Sequence, residues 1–406
     1  VTDGHAITGV ALANCLGGDN RAVFERAFAG ADVFLPADAY CEFPFTTMLG
    51  VMPPGLAAAL EAELDALGRA WPACAPTRLT RLALASVRQI RQAVGAAVDR
   101  WGADRVAYVF ASSTGGLEET ERRLAPDPRL PSATPGYRYA DHAIDATSAA
   151  IAGSLGARGI CMAISTACSS SFKALASAAR LIDAGLADAA VVGSADSLCR
   201  TTVFGFHSLG LTAPTATQPF SRDRAGITLG EGSAYVVIER LVDATRASAL
   251  ARISGMGAAS DAFHHTSPHP DGVGGQRCMR QALDRAGLGP DQIDCISAHG
   301  TGTRLNDAAE AVAVTRVFER AVPLTATKSL TGHTLGSAGL TALVLAVESL
   351  RRQQIPATLR LAPPDESLGV AVVGQLTPAA LQHVLVNAFG FGGSNASVIV
   401  THPRWS

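Results

Sequence analysis

Charge is scarce in this chain. Only 17% of its 406 residues are Asp, Glu, Lys or Arg, and the two signs nearly cancel to a net −2. With a sequence pI near 6.6 there is no basic footprint, so general nucleic-acid binding is not expected. Paired cysteines at metal or redox spacing are missing too. The eight cysteines, at positions 15, 41, 74, 161, 168, 199, 278 and 295, form no C-x-x-C. The opening Val1-Thr2-Asp3-Gly4 shows no charged-then-apolar leader, which predicts a reduced, cytoplasmic setting. Apolar stretches such as Leu340 to Val347 fall far short of the ~20 residues a membrane span needs, so no membrane insertion is expected.

What the chain does have is apolar and small. Hydrophobic residues make up 48%, glycine occurs 40 times, and mean hydropathy is +0.22, the composition of an α/β enzyme with much buried surface. The length predicts two domains or one large fold of two similar halves. Strands are expected over Ala6–Ala11, Arg105–Ala111, Asp188–Gly193 and Ser233–Glu239, and helices over Arg21–Ala29, Leu56–Leu67, Leu79–Val98 and Phe172–Ile182. Leu198 to Pro219 reads as irregular. The proline-rich stretch Pro126 to Tyr139 reads as an excursion near a dimer or substrate surface.

A first half then closes near residue 240, dividing the chain into 1–240 and 241–406. The second half repeats the plan, with strands Ile293–Ala298 and Leu324–Lys328 and helices Asp307–Phe318 and Ser337–Arg352. Cys168-Ser-Ser-Ser-Phe-Lys-Ala-Leu and His333-Thr-Leu-Gly-Ser-Ala-Gly-Leu each open an alanine-rich helix. Duplicated halves commonly set such points face to face; two unrelated Ala-rich helices are the plain alternative.

Cys168 lies in Ser165-Thr-Ala-Cys-Ser-Ser-Ser171, where an apolar run gives way to a small-residue turn and a helix. Such a turn exposes a thiol, and the unpaired N–H groups of a helix start favour its thiolate. Two later segments, His299-Gly-Thr-Gly-Thr303 and Lys328-Ser-Leu-Thr-Gly-His333, set imidazoles beside glycines at strand ends. One cysteine, two histidines and a lysine point to acyl-thioester chemistry.

These segments, with Asn387-Ala-Phe-Gly-Phe-Gly-Gly-Ser-Asn395, Pro219 to Gly226, Gly230-Glu-Gly232 and Asp261 to Pro268, resemble β-ketoacyl-acyl carrier protein synthases of the I/II type from about residue 5 to 401. The resemblance implies a thiolase-type fold of five layers, α-β-α-β-α, built from two similar halves and normally dimeric. It also implies decarboxylative Claisen condensation: Cys168 takes an acyl group from a carrier thioester, and an enolate from a malonyl thioester attacks it. Cys168 and Phe391 would supply backbone oxyanion donors, and Phe391 would also gate the site. His299 and His333 would stabilise the enolate, Lys328 would order the histidines with Glu310 as its ionic partner, and Thr301 and Thr303 would bind the pantetheine arm. The implied partners are an acyl carrier protein and a second subunit, identical or chain-length-factor-like. No cofactor is implied, since the carrier's phosphopantetheine brings the thioester. An acidic carrier would want a basic patch, for which Arg122, Arg123, Arg200 and Arg222 are candidates.

The chain also departs from that pattern. Fatty-acid members commonly carry a glutamate some two and a half helical turns after the second histidine, where this chain has Gly339-Leu-Thr-Ala342. That puts any cation site using the carboxylate in doubt. Phe204 to Leu211 followed by Gln218 to Ile227 looks closer to ketosynthases of aryl-polyene and related type II polyene pathways. A degradative thiolase would need a second active cysteine, which Gly390 to Gly393 does not supply. A cysteine acyl hydrolase would need water at the acyl-enzyme, and a non-catalytic chain-length partner usually lacks the cysteine. Cys15, Cys161 and Cys295 read as structural. His5, His142 and His383 read as surface or satisfied core residues, and His264, His265 and His269 as loop residues without the spacing of a metal site. Phe389 to Gly393 has no Gly-Lys-Ser/Thr ending and is no nucleotide loop. Phe204, Phe206 and Phe220 are expected in the core or at a dimer contact, with one a candidate for the acyl tunnel.

Overall fold

The computed structural model describes residues 4–74, 76–124 and 139–404. The proline-rich excursion therefore lies outside the described residues, apart from Tyr139. The first half contributes β1 (His5–Asn14), β2 (Val106–Ala111), β3 (Cys161–Ile164), β4 (Ala189–Asp196) and β5 (Gly232–Arg240). The second contributes β6 (Ala251–Ser260), β7 (Cys295–Ser297), β8 (Pro323–Thr325), β9 (His383–Gly390) and β10 (Ser394–Thr401).

Read outward from the centre, the first half runs β1-β5-β4-β2-β3 and the second β6-β10-β9-β7-β8, the same order twice, with Ala371–Val372 added in parallel as an eleventh strand outside β8. Directions repeat as well. In each half the two inner pairings are antiparallel and the two outer ones parallel. A short antiparallel pairing of His5 to Ile7 with Ala251 to Ile253 joins the halves into one sheet.

Helices fill three layers. On the outer face of the first half lie α1 (Arg78–Trp101) and α2 (Ile144–Ser154); between the halves lies α3 (Ser170–Asp183). A short surface helix, α4 (Arg200–Ser208), follows β4. The second half carries α5 (Val273–Ala286) and α6 (Arg304–Val317) outside, and α7 (Ala338–Arg352) packs beside α3 in the middle. The two central helices show their position in their sequences: α7 is buried at every residue from Ala338 to Leu350, as a helix covered on all sides must be. By contrast α1 keeps a polar stripe outward and buries Leu79, Leu82, Val87, Ile90 and Val94, with Thr77 capping its first turn. The result is the five-layered α-β-α-β-α arrangement of the thiolase fold.

Several expectations are corrected. Leu198 to Pro219 is not irregular throughout, because α4 forms there; the Glu121 carboxylate accepts the N–H groups of Arg200 (2.8 Å) and Thr201 (2.6 Å). A cap supplied from so far along the chain leaves no local signal. The strand at Leu324 stops at Thr325, and Lys328 opens a one-turn helix, Lys328–Thr331. The sequence reading passed over β6 and α5 because glycines interrupt the strand. Those glycines let the helix lie on it: a Cβ on Gly257 would fall 1.9 Å from the Cys278 carbonyl oxygen. Among the described residues, no helix is long and apolar enough to cross a membrane.

Candidate active site

The turn after β3 is held in an unusual backbone state. Ala167 has φ 52°, a left-handed conformation that side-chain-bearing residues rarely adopt. Ser170 stabilises it, donating its hydroxyl to the Ala167 carbonyl (2.6 Å) while accepting the Thr166 N–H (2.8 Å). The turn delivers Cys168 just ahead of α3, in the wall of a cavity of about 460 Å³. Only 5% of Cys168 is exposed. The N–H groups of Phe391 and of Cys168 itself and the Lys328 charge all favour the thiolate, yet burial outweighs them and pushes the thiol up to about 11. The helix start alone therefore does not make a resting thiolate, contrary to the sequence expectation.

His299 follows β7 and is fixed by its own backbone. The Glu310 carboxylate, one helix away on α6, accepts the N–H groups of His299 (2.7 Å) and Gly300 (2.8 Å) and an Asn387 amide N–H (3.0 Å). Lys328 donates to the His299 carbonyl (2.5 Å) and to its Nδ1 (3.1 Å). Glu310 thus acts on Lys328 through its field and through the His299 loop rather than by the direct ion pair expected. Burial lowers the Lys328 ammonium to about 8 against the pull of Glu310.

His333 is held differently. Its backbone bridges to the strand at Leu229, its N–H reaching the Thr228 carbonyl (2.8 Å), and its Nδ1 accepts the Leu335 N–H (3.0 Å). Both imidazoles thereby receive a hydrogen bond at Nδ1, which leaves the proton on Nε2. Burial and the Lys328 charge hold both well below the usual histidine range, so they are neutral. The rings stand 5.4 Å apart, edge to face.

One cavity collects these groups. Cys168, His299, His333, Phe391, Thr301 and Thr303 all line it, while Lys328 and Glu310 stand behind the histidines. Phe391 is half-buried, with Gly392 at φ 75° beside it and the Gly392 N–H bonded to the His265 carbonyl (2.9 Å). Phe206 lines the cavity 5.3 Å from the Phe391 ring, whereas Phe220 is core and Phe204 packs on Phe43 and Phe45. His264 and His269 accept backbone N–H groups within their own loop. The segment Gly339 to Ala342 is buried inside α7 and brings no carboxylate.

The arginine candidates separate. Arg122 and Arg123 are tied to Glu118, Glu119 and Asp141, and Arg200 stacks on Phe204. Arg222 is exposed. Sequence reasoning missed Arg304, which is exposed at the cavity, next to Leu305, and makes no ion pair among the described residues. Its position directly after Thr303 was the available signal.

Comparison with known proteins bears on this geometry. Residues 56–244 match the beta-ketoacyl synthase N-terminal domain, and residues 250–362 match the beta-ketoacyl synthase C-terminal domain. The 3-oxoacyl-acyl-carrier-protein synthase 2 of Coxiella burnetii is 30% identical over 97% of this chain and 97% of its own length. The protein of the same name from Vibrio cholerae is 34% identical over 75% of this chain and 78% of its own. Among solved structures, a chain of the ketosynthase ApeO in complex with its chain length factor ApeC, from Xenorhabdus doucetiae, matches with TM-score 0.87 and 33% identity over 98% of both chains. The chain belongs to the beta-ketoacyl synthase family, whose general chemistry is ketosynthase condensation.

Proposed function

We propose that this protein elongates an acyl chain held on Cys168 by decarboxylative condensation with a malonyl group on an acyl carrier protein. The reading rests above all on one observation: Cys168 lines the same cavity as His299, His333 and Phe391. In the first half-reaction the sulfur displaces the carrier thiol. The tetrahedral oxyanion is met by the Cys168 and Phe391 N–H groups, both of which favour negative charge at the sulfur. Losing one such donor in other enzymes costs ~2.7–4 kcal/mol. In the second, carbon dioxide leaves the malonyl group and its electron pair forms an enolate, whose oxygen is met by the two Nε2–H donors. The enolate carbon then attacks the acyl-enzyme, releasing the thiolate and a β-ketoacyl carrier two carbons longer.

Lys328 keeps His299 in its donor tautomer, Glu310 holds the His299 backbone, Thr301 and Thr303 bind the pantetheine arm, and Phe391 opens and closes the site against Phe206. The carrier docks where Arg304 and Leu305 border the cavity. The missing carboxylate at Ala342 and the match to the ApeO–ApeC complex support a polyene-type type II pathway and a chain-length-factor-like or identical second subunit. A purely structural subunit is the second reading, and the fully equipped Cys168 turn argues against it.

The test incubates wild type and Cys168→Ala with an acyl-carrier thioester, then with malonyl carrier, alone and with candidate partner subunits, and follows intact masses. An adduct on wild type alone, followed by a two-carbon-longer product, is expected. No adduct on Cys168 across several chain lengths and partners would overturn the proposal.

A further inference from the structure

The fully buried carboxylate of Asp196, at the end of β4, has no part in the chemistry above. Its Oδ1 accepts from the Ser112 hydroxyl, the Ser113 and Thr114 N–H groups and the Thr114 hydroxyl, each at 2.8 Å. Its Oδ2 accepts the Ser337 N–H (3.1 Å) from the other half of the molecule. The same turn is held twice more, by the Gly336 N–H on the Ser113 hydroxyl (3.1 Å) and by Ser194 against Ser337 (2.8 Å). Immediately before it stands Leu335, whose N–H fixes His333 Nδ1.

We propose that Asp196 is a positioning residue for the decarboxylating half-reaction, acting on His333 through the Gly336–Ser337 turn. The chain of contacts is continuous: carboxylate, Ser337 N–H, turn, Leu335 N–H, imidazole. Gly336 allows the approach, since a Cβ there would lie 2.8 Å from Asp196 Oδ2 and 3.0 Å from the Ser113 nitrogen. A carboxylate is required because the arrangement needs two oxygens accepting from opposite sides. An asparagine could keep only one of them and would turn an N–H toward the Ser337 N–H.

Asp196 also bears on Cys168, but with the opposite effect. His299, His333 and Asp261 line the cavity with Cys168, and the charges of Lys328 and Asp196 act on its sulfur: the Lys328 charge favours the thiolate and the Asp196 charge disfavours it. Neutralising Asp196 therefore eases ionisation of the thiol while loosening His333. A merely structural lesion would damage both functions together.

The inference rests on the condensation proposed above, and the experiment keeps the two apart. Asp196→Asn and Ser113→Ala are compared with wild type for carbon dioxide release from malonyl carrier and for iodoacetamide alkylation of Cys168 from pH 6 to 9.5. Asp196→Asn should release carbon dioxide about tenfold more slowly, the loss that follows when about 1.4 kcal/mol of the hydrogen bonding that holds the turn beside His333 is removed. It should also be alkylated about threefold faster near pH 8, as removal of a nearby negative charge requires. Ser113→Ala, at an exposed position that tolerates the change, should slow decarboxylation severalfold and leave the alkylation profile in place. Slower alkylation of Asp196→Asn, or unchanged decarboxylation in Ser113→Ala, would overturn the inference. A wild type that never releases carbon dioxide would overturn the condensation reading itself, and this one with it.

Discussion

The two halves of the molecule use one turn for two purposes. In the first, Ala167 takes φ 52° ahead of α3; in the second, Leu335 takes φ 52° ahead of α7. Aligned on these residues, the counterpart of Cys168 is Gly336, not His333, so the repeat read from the sequence is displaced. The first turn presents a side chain to the cavity, and the second presents backbone N–H groups, to His333 on one side and Asp196 and Ser113 on the other. Duplication supplied the frame, and the functional difference lies in which atoms each copy aims inward.

The strongest way to break this comparison is to remove the side chain that each turn serves. Cys168→Ala should abolish the acyl adduct, whereas His333→Ala should leave acylation in place and lower carbon dioxide release by about 10²–10³-fold, the usual loss for an oxyanion donor. Single-turnover acylation and carbon dioxide release, measured separately, check this. Equal loss of both steps in His333→Ala would mean that the second turn also serves the thiol.

A second contrast lies in pH. Lys328 loses its positive charge as pH rises through about 8, and its hydrogen bonds to His299 Nδ1 and to the His299 carbonyl weaken from charge-assisted to neutral. The Cys168 thiol, pushed up to about 11, ionises further as pH rises. Decarboxylation should therefore decline above pH 8, while alkylation of Cys168 should climb about tenfold per unit below pH 8 and less steeply above it, where the departing Lys328 charge no longer favours the thiolate, with no plateau below pH 9.5. Lys328→Ala should remove the alkaline decline by removing its cause, at a much lower rate. A decarboxylation rate that stays flat to pH 9.5 in wild type would break the assignment.

The sequence made the frame legible where a local signal carried it. The apolar runs of β2 and β4, the periodicity of α1 and the ordered segments around Cys168, His299, Lys328 and His333 were all readable, because each depends on its own residues. Features made by distant partners were not. Glu121 capping α4, Asp196 clasping Ser337 and Glu310 holding His299 each join residues far apart in the chain. The resting thiol was misjudged for a related reason. The turn favours ionisation, but the surroundings that bury Cys168 come from the second half as well as the first, and they set the sign of the shift.

Packing gives a smaller test of the same comparison. Gly336→Ala forces a methyl against Asp196 and the Ser113 backbone, neither of which is the free end of a flexible side chain. Such overpacking costs about 1–3 kcal/mol. A reduced Tm with slowed decarboxylation is expected, and an unchanged Tm would show that the turn yields more easily than its hydrogen bonds suggest.

The smallest effect on stability should come from Ala167→Gly. A left-handed backbone costs an alanine about 1–2 kcal/mol, which glycine relieves, while the freer unfolded chain takes back about 0.4–1 kcal/mol. The Tm should therefore shift by no more than a few degrees. Function should change more, because the strained turn fixes the direction in which Cys168 enters the cavity, and glycine admits other directions. Acylation slowed severalfold with little change in Tm would show that the strain at Ala167 serves to aim the nucleophile. Acylation at the wild-type rate would show that Ser170 and the packing of α3 suffice, and that the matching strain at Leu335 is equally dispensable for the donors of the second turn.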